Sequence, residues 1–412
     1  MFSIIKKAIA IILCSLFIIN LSSVCYASNE KYVWSTIDNI DYNLTNENLK
    51  QTSNIATLDL GCESAILIEQ STGEILFEKN SHEQLRPASV TKVMSILLIM
   101  EAIEQGKITY DTQIPCSENA SSMGGSQIWL DTRETLSVND MLKAICIVSA
   151  NDCVVAMAEY IGGSESSFVQ MMNDKAKELG MNDTCFKNCH GIDEDGHVTS
   201  AYDISIMSKE LLKNYPEITK YTTVYMDTIR NGESELVNTN KLIRNYSGAT
   251  GLKTGSTSLA MYNLSASATR DNLSLIAVVM KAPSTKARFQ DAKTLLDYGF
   301  NTYSCKSFGN KGDVVSNVEI FKGTSTSVNV IFENDVSIIS KKGQESAITQ
   351  TIILNDKISA PISKGDVLGE AIFKLEDEVI ARTNLIADES VNKLSIFNEI
   401  VVVFAKWFNL SR

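Results

Sequence analysis

Three short motifs in the chain carry side chains suited to acyl transfer: Ser89-Val90-Thr91-Lys92, Ser149-Ala150-Asn151 and Lys253-Thr254-Gly255. Singly they say little. Ser-x-x-Lys recurs at Ser3, Ser28 and Ser390, and Ser-x-Asn at Ser117, Ser137, Ser327 and Ser390, while Lys253-Thr254-Gly255 occurs once. Position separates them. Ser89 opens a long apolar segment, whose N-terminal N–H groups favour developing negative charge. Lys92, three residues on, shares its helical face and is placed to take the Ser89 proton. A lysine is a base only when neutral, which burial and a neighbouring positive charge both promote. Lys253 supplies that charge. Ser149 is placed to relay a proton to a leaving group, and Asn151 offers an amide to orient a substrate. Lys253 and Thr254 suit a substrate carboxylate. Gly255 allows close approach of an edge strand, and the Ser256 N–H pairs with that of Ser89 as an oxyanion hole.

These residues need a large scaffold, and the sequence predicts one. ESAILIEQSTGEILFEKN reads as two strands about a turn at Ser71-Thr72-Gly73. RPASVTKVMSILLIMEAIEQGK reads as a helix that is apolar on nearly every side, hence buried. Ser137 caps a helix in LSVNDMLKAICIV, and three further helical patterns follow in CVVAMAEYIGG, FVQMMNDKAKELG and AYDISIMSKELLKNYP. NLSASATRDNLSLIAVVM reads as two strands turning at Arg270-Asp271-Asn272, and a last helical pattern closes an α+β domain over 58–300. Short alternating runs over 301–388 predict a small all-β sandwich.

The ends carry different signals. Lys6 and Lys7, the run AIAIILCSLFIINL and SSVCYA predict a secretory signal over 1–27, with an uncleaved anchor as the alternative. Residues 28–57 read as a polar leader. In 389–412, Leu394, Phe397, Ile400, Val401, Phe404, Trp407 and Phe408 recur at helical spacing, predicting an amphipathic helix in the membrane interface. A helix docked on the β domain is its alternative.

Composition narrows the function classes. Apolar residues at 44% and charged ones at 21% exclude a largely disordered chain. A net charge of −12 argues against a nucleic-acid binder, which needs a basic footprint. Cys185, Cys189, His190 and His197 fit no usual structural zinc spacing, and Cys146 and Cys153 read as small buried hydrophobes.

With the three motifs in order, the sequence resembles the D-alanyl-D-alanine carboxypeptidases, the low-molecular-mass penicillin-binding proteins. The likeness extends to RPASVTK, GMNDTCFKNCHGIDEDGHVTSAYD, NTNKLI, GLKTGST, the Arg288-Phe289 pair and PISKGDVLGEAIF, and it covers residue 58 to the end. It implies a β-lactamase/transpeptidase-like catalytic domain, an antiparallel sheet with helices packed on it. It also implies hydrolysis of the terminal D-Ala–D-Ala bond of peptidoglycan stem peptides through an acyl-enzyme on Ser89, without cofactor or metal. Penicillins and other β-lactams are then acylating inhibitors. By position Arg288 resembles the arginine that helps hold the substrate carboxylate. Departures are Ala150 for a frequent Gly, Ser256 for a bulkier His or Tyr, and Cys189 for a frequent Pro. A class A β-lactamase needs Glu-x-x-Leu-Asn between the second and third motifs; Glu210-Leu-Leu-Lys-Asn214 fails at its fourth position. A catalytically dead wall-binding scaffold is the rival from another class, and the intact motif residues argue against it.

Overall fold

A computed structural model describes residues 58–395. The expected signal and leader over 1–57 and the bulk of the expected tail helix, from 396 on, lie outside the described residues. Strand β1 (Ser64–Glu69) turns at Gly73 into β2 (Ile75–Lys79). A 3₁₀ turn, Ala88–Thr91, runs into helix α1 (Lys92–Glu104). A short pair, β3 (Gln113–Pro115) and β4 (Thr135–Ser137), leads into α2 (Val138–Lys143), where Ser137 Oγ accepts from the Asp140 N–H as an N-cap should. Helices α3 (Asn151–Gly162), α4 (Glu165–Glu178) and α5 (Ala201–Asn214) follow. A small hairpin of β5 (Met226–Ile229) and β6 (Ser234–Val237) precedes β7 (Ala249–Thr257), β8 (Met261–Arg270), β9 (Leu273–Ala282) and the long helix α6 (Thr285–Thr302).

The main sheet has the order β2-β1-β9-β8-β7 and is antiparallel throughout, so β7 is an edge. Period-2 alternation splits its side chains between two cores. Ile66, Ile68, Ile276, Val278 and Met280 join the helical core built on α1, α3 and α5. Ala65, Leu67, Leu275, Ala277 and Val279 pack with Phe289, Leu295 and Leu296 of α6 on the other face. Both faces are covered, which is why β9 reads as an unbroken apolar run rather than an alternating one. In α1, ten residues from Lys92 to Ala102 are buried, as its all-round hydrophobicity predicts.

Beyond α6 lies an all-β part. β10 (Tyr303–Gly309) pairs with β13 (Val336–Lys341), and β11 (Val314–Glu319), β12 (Ser327–Phe332), β14 (Ile348–Leu354), β15 (Val367–Leu375) and β16 (Glu378–Ala387) form a sheet of order β11-β12-β16-β15-β14. Val328, Val330, Phe332, Ile338, Phe373 and Leu385 fill the core between them.

The sequence places the end of this part at 388; the chain stays in it further. Val391 is buried in the β core, and its N–H and C=O both pair with Ile362, at 2.8 and 2.9 Å. The Leu394 N–H then donates to Lys322 O at 2.8 Å. Val391 thus belongs to the sandwich core, a membership set by pairing across the chain that no local run of residues reveals. Truncation after Ser390 is therefore expected to lower β-domain stability by about 1.5–3 kcal/mol, the worth of one buried valine, read by calorimetry. Truncation after Ser395 is expected to leave the transition unmoved.

Candidate active site

The 3₁₀ turn brings Ser89 and Lys92 onto one line, because residues three apart eclipse in that geometry. Lys92 Nζ stands 3.1 Å from Ser89 Oγ, 2.6 Å from Asn151 Oδ1 and 2.6 Å from the His190 carbonyl oxygen. The lysine is fully buried, while Ser89 is half-buried. Two glycines let the backbone close around the turn. A Cβ on Gly255 would come within 2.9 Å of Pro87 O and of the Ser89 and Val90 nitrogens. A Cβ on Gly191, at φ +92, would overlap the Ala88 carbonyl. Only hydrogen fits at either place. Behind the turn, His197 Nδ1 accepts from the Lys187 N–H at 2.9 Å, so its Nε2–H is free to donate to Thr91 Oγ1 at 2.8 Å.

The second motif sits at a joint. The backbone after α2 widens into a π turn, Ala144–Val148, and Ser149 ends it in the left-handed conformation, φ +68. Helix α3 then starts at Asn151. A serine held left-handed marks a constrained position of the kind found at active sites. Its hydroxyl is buried without a protein partner. The sequence assigns the Asn151 amide to a substrate. The structure gives both ends of it work inside the protein: Oδ1 accepts from Lys92, and Nδ2 donates to Gly124 O at 2.7 Å. Asn151 holds the lysine.

The third motif lies on edge strand β7, as Gly255 requires. Lys253 is buried, its Nζ 3.0 Å from Thr254 O, and Thr254 Oγ1 is 2.7 Å from Thr239 Oγ1. Ser256 is exposed at the mouth. Arg288 lies beneath the strand and donates from Nη1 to the carbonyls of Gly255 and Asn263, 3.1 Å each. It braces β7 and β8 from below.

The electrostatics follow from burial. Lys92 is held well below the usual lysine range, first by desolvation and then by the positive charge of Lys253. Burial pushes Lys253 down to about 7, with the Arg288 charge helping. Burial likewise lowers Arg288 to about 10. Among the described residues no carboxylate forms an ion pair with Lys92 or Lys253. His190 is pushed down to about 3 by burial and then by Lys92, and its Nδ1 accepts from the Ile192 N–H at 3.1 Å. Its ring is neutral and held inside the protein; its carbonyl on Lys92 is a contact that no residue type signals, because every residue carries a backbone oxygen.

Serine hydrolases acylated by penicillins carry this combination of groups, and the fold and the site place the chain in that class. Residues 46–284 match the family model described as D-alanyl-D-alanine carboxypeptidase, and residues 303–393 match that of the penicillin-binding protein 5 C-terminal domain. The D-alanyl-D-alanine carboxypeptidase DacF of Bacillus subtilis is 44% identical over 362 residues, 87% of this chain and 92% of its own. The crystal structure of penicillin-binding protein 5 from Haemophilus influenzae superposes with a TM-score of 0.72 at 31% identity, over 82% of this chain and 99% of that one. A peptidoglycan synthesis regulatory factor from Streptococcus pneumoniae gives 0.69 at 27% identity, over 81% and 100%. The chain belongs to the D-alanyl-D-alanine carboxypeptidase family.

Coupling between the two lysines makes a signed prediction. Replacing Lys253 with Met removes the positive charge that helps hold Lys92 neutral, so the Lys92 pKa rises. The acid limb of the acylation rate against pH, measured with a labelled penicillin, is expected to move to higher pH in Lys253→Met. An unmoved limb would mean that the two groups are not coupled.

Proposed function

We propose that the protein is a serine-type D-Ala–D-Ala carboxypeptidase that removes the terminal D-alanine of peptidoglycan stem pentapeptides. One observation carries the assignment of roles: the set of contacts around Lys92 Nζ. A neutral amine has two N–H groups and one lone pair. Two of its three neighbours, Asn151 Oδ1 and the His190 carbonyl, can only accept. They engage both N–H groups, and the lone pair is left for the Ser89 hydroxyl. An ammonium here would be a buried charge without a counter-ion, which costs several kcal/mol. Burial therefore selects the base form.

From that ground state the steps follow. Lys92 takes the Ser89 proton as Oγ attacks the carbonyl of the penultimate D-alanine. The oxyanion forms between the N–H groups of Ser89 and Ser256. The departing D-alanine amine takes up the proton that Lys92 accepted from Ser89, relayed through the Ser149 hydroxyl, which is left unpartnered within the protein. Lys253 and Thr254 receive the substrate's terminal carboxylate, and Arg288 adds positive charge behind them. Water then attacks the ester carbonyl, gives its proton to Lys92, which is neutral again, and Lys92 returns that proton to Ser89 Oγ as the acyl group leaves. A β-lactam enters the same path, but the chain lacks the Glu-x-x-Leu-Asn segment that a class A β-lactamase uses to activate water, so its acyl-enzyme persists.

We place the enzyme outside the cytoplasm, at the wall, on two supports. Its substrate class is the wall itself, and the first 27 residues carry the charged, apolar and small-residue order of an export signal. No helix among the described residues is long and apolar enough to cross a membrane. We assign a peripheral membrane anchor to residues 396–412, in whose sequence Phe397, Ile400, Val401, Phe404, Trp407 and Phe408 recur at the spacing of an amphipathic helix.

Three variants test this. Ser89→Ala is expected to abolish both D-alanine release and penicillin labelling by mass spectrometry. Lys92→Ala is expected to slow acylation about 10²–10⁴-fold, the worth of a general base, and a normally acylating Lys92→Ala would remove it from that role. Separately, deletion of 396–412 is expected to move the enzyme from the membrane pellet to the supernatant with activity on a soluble pentapeptide intact; a truncated enzyme that still pellets would place the anchor elsewhere.

A further inference from the structure

Among the described residues Trp129 is the most exposed large apolar side chain, and neither the core nor the acyl-transfer steps use it. It is 76% exposed, and its backbone is left-handed at φ +62, a conformation that a bulky residue adopts only under constraint. The constraint is built from buried charge. The residues on either side, Ile128 and Leu130, are buried, and both their N–H groups donate to the fully buried Asp152 carboxylate at 3.0 Å. From the hairpin of β5 and β6, Arg230 Nη1 donates to Ile128 O at 2.9 Å, while its Nη2 is 2.8 Å from Glu134 Oε2. An exposed apolar side chain by itself means nothing. An indole held in water on a strained backbone, by a buried carboxylate and a paired guanidinium, is different: strain of this kind persists at ligand-contacting sites.

The same loop is a wall of the reaction centre. Gly124 O accepts from Asn151 Nδ2 and Ser126 O from the Asn151 N–H, each at 2.7 Å, and Asn151 in turn touches Lys92. A substrate at Ser89 sends its terminal carboxylate toward Lys253 and Thr254 on β7. Its acyl portion lies on the other side of the scissile carbonyl from that carboxylate, and the 124–130 loop reaches the site at Asn151. Resting on the carboxypeptidase reading, we infer that Trp129 is a specificity residue: its ring is a platform for the non-reacting acyl side of the stem peptide, in particular the aliphatic side chain of the residue before D-Ala–D-Ala. A rigid indole offers large contact area for few rotatable bonds. Binding energy from such a remote part is available to lower the barrier at the scissile bond.

The test compares wild type, Trp129→Gly and Trp129→Phe on two substrates: a full stem pentapeptide with a diamino acid at its third position, and N-acetyl-Gly-D-Ala-D-Ala, which lacks that side chain. The readout is the ratio of kcat/KM for the long substrate over the short one. Trp129→Gly is expected to lower the ratio about tenfold, and Trp129→Phe to restore most of it. Glycine suits the left-handed backbone, so the Gly variant is expected to melt no lower than wild type. An unchanged ratio in Trp129→Gly overturns the proposal, and so does an equal loss on both substrates, which would make the tryptophan structural. A wild-type enzyme that releases D-alanine from neither substrate would instead overturn the carboxypeptidase reading beneath it.

Discussion

The structure turns on a buried amine that cannot afford its proton. Lys92 reaches the interior on the first turn of α1, in a core of isoleucine, leucine and methionine side chains. There it meets two carbonyl oxygens, one hydroxyl and the field of a second buried lysine, and no carboxylate forms an ion pair with it among the described residues. Much of the catalytic domain is arranged to keep that environment. The 188–191 loop presents the His190 carbonyl, the joint at Ser149 and Ala150 presents the Asn151 amide, and edge strand β7 brings Lys253. Each element comes from a different stretch of chain, and the two close-contact glycines, Gly191 and Gly255, set how near two of them come to the Ser89 turn.

Asp152 shows how the support extends outward. It follows Asn151 on α3, is fully buried and spends its charge on the N–H groups of Ile128, Leu130 and Cys153. One helical step thus fixes the lysine on one side and the rim loop on the other. The same helix start couples Lys92 to the loop that carries Trp129.

The residues legible in the sequence are those whose chemistry resides in side chains at fixed spacing. Ser89 and Lys92 could be read from their three-residue separation, and the two hairpins of the main sheet from apolar runs broken at Gly73 and at Arg270-Asp271-Asn272. The role of Asn151 was only partly legible, since an amide reads equally as a substrate contact or a lysine support until its neighbours are seen. His190 contributes a carbonyl, which any residue carries. Gly191 is informative only once Ala88 is known to lie against it. Val391 lies past the boundary that the alternating runs set at 388, and only its long-range pairing with Ile362 shows that it belongs to the sandwich.

The charge state of Lys92, on which these roles rest, is open to direct measurement. Nitrogen-15 NMR of lysine-labelled enzyme, with Lys92→Ala used to assign the signal, reports whether Lys92 is an amine or an ammonium at neutral pH with Ser89 intact. The neutral amine is expected, with its proton taken up only well below the ordinary lysine range. A Lys92 that remains an ammonium throughout the pH range of activity would contradict it, and would require another group to take the Ser89 proton.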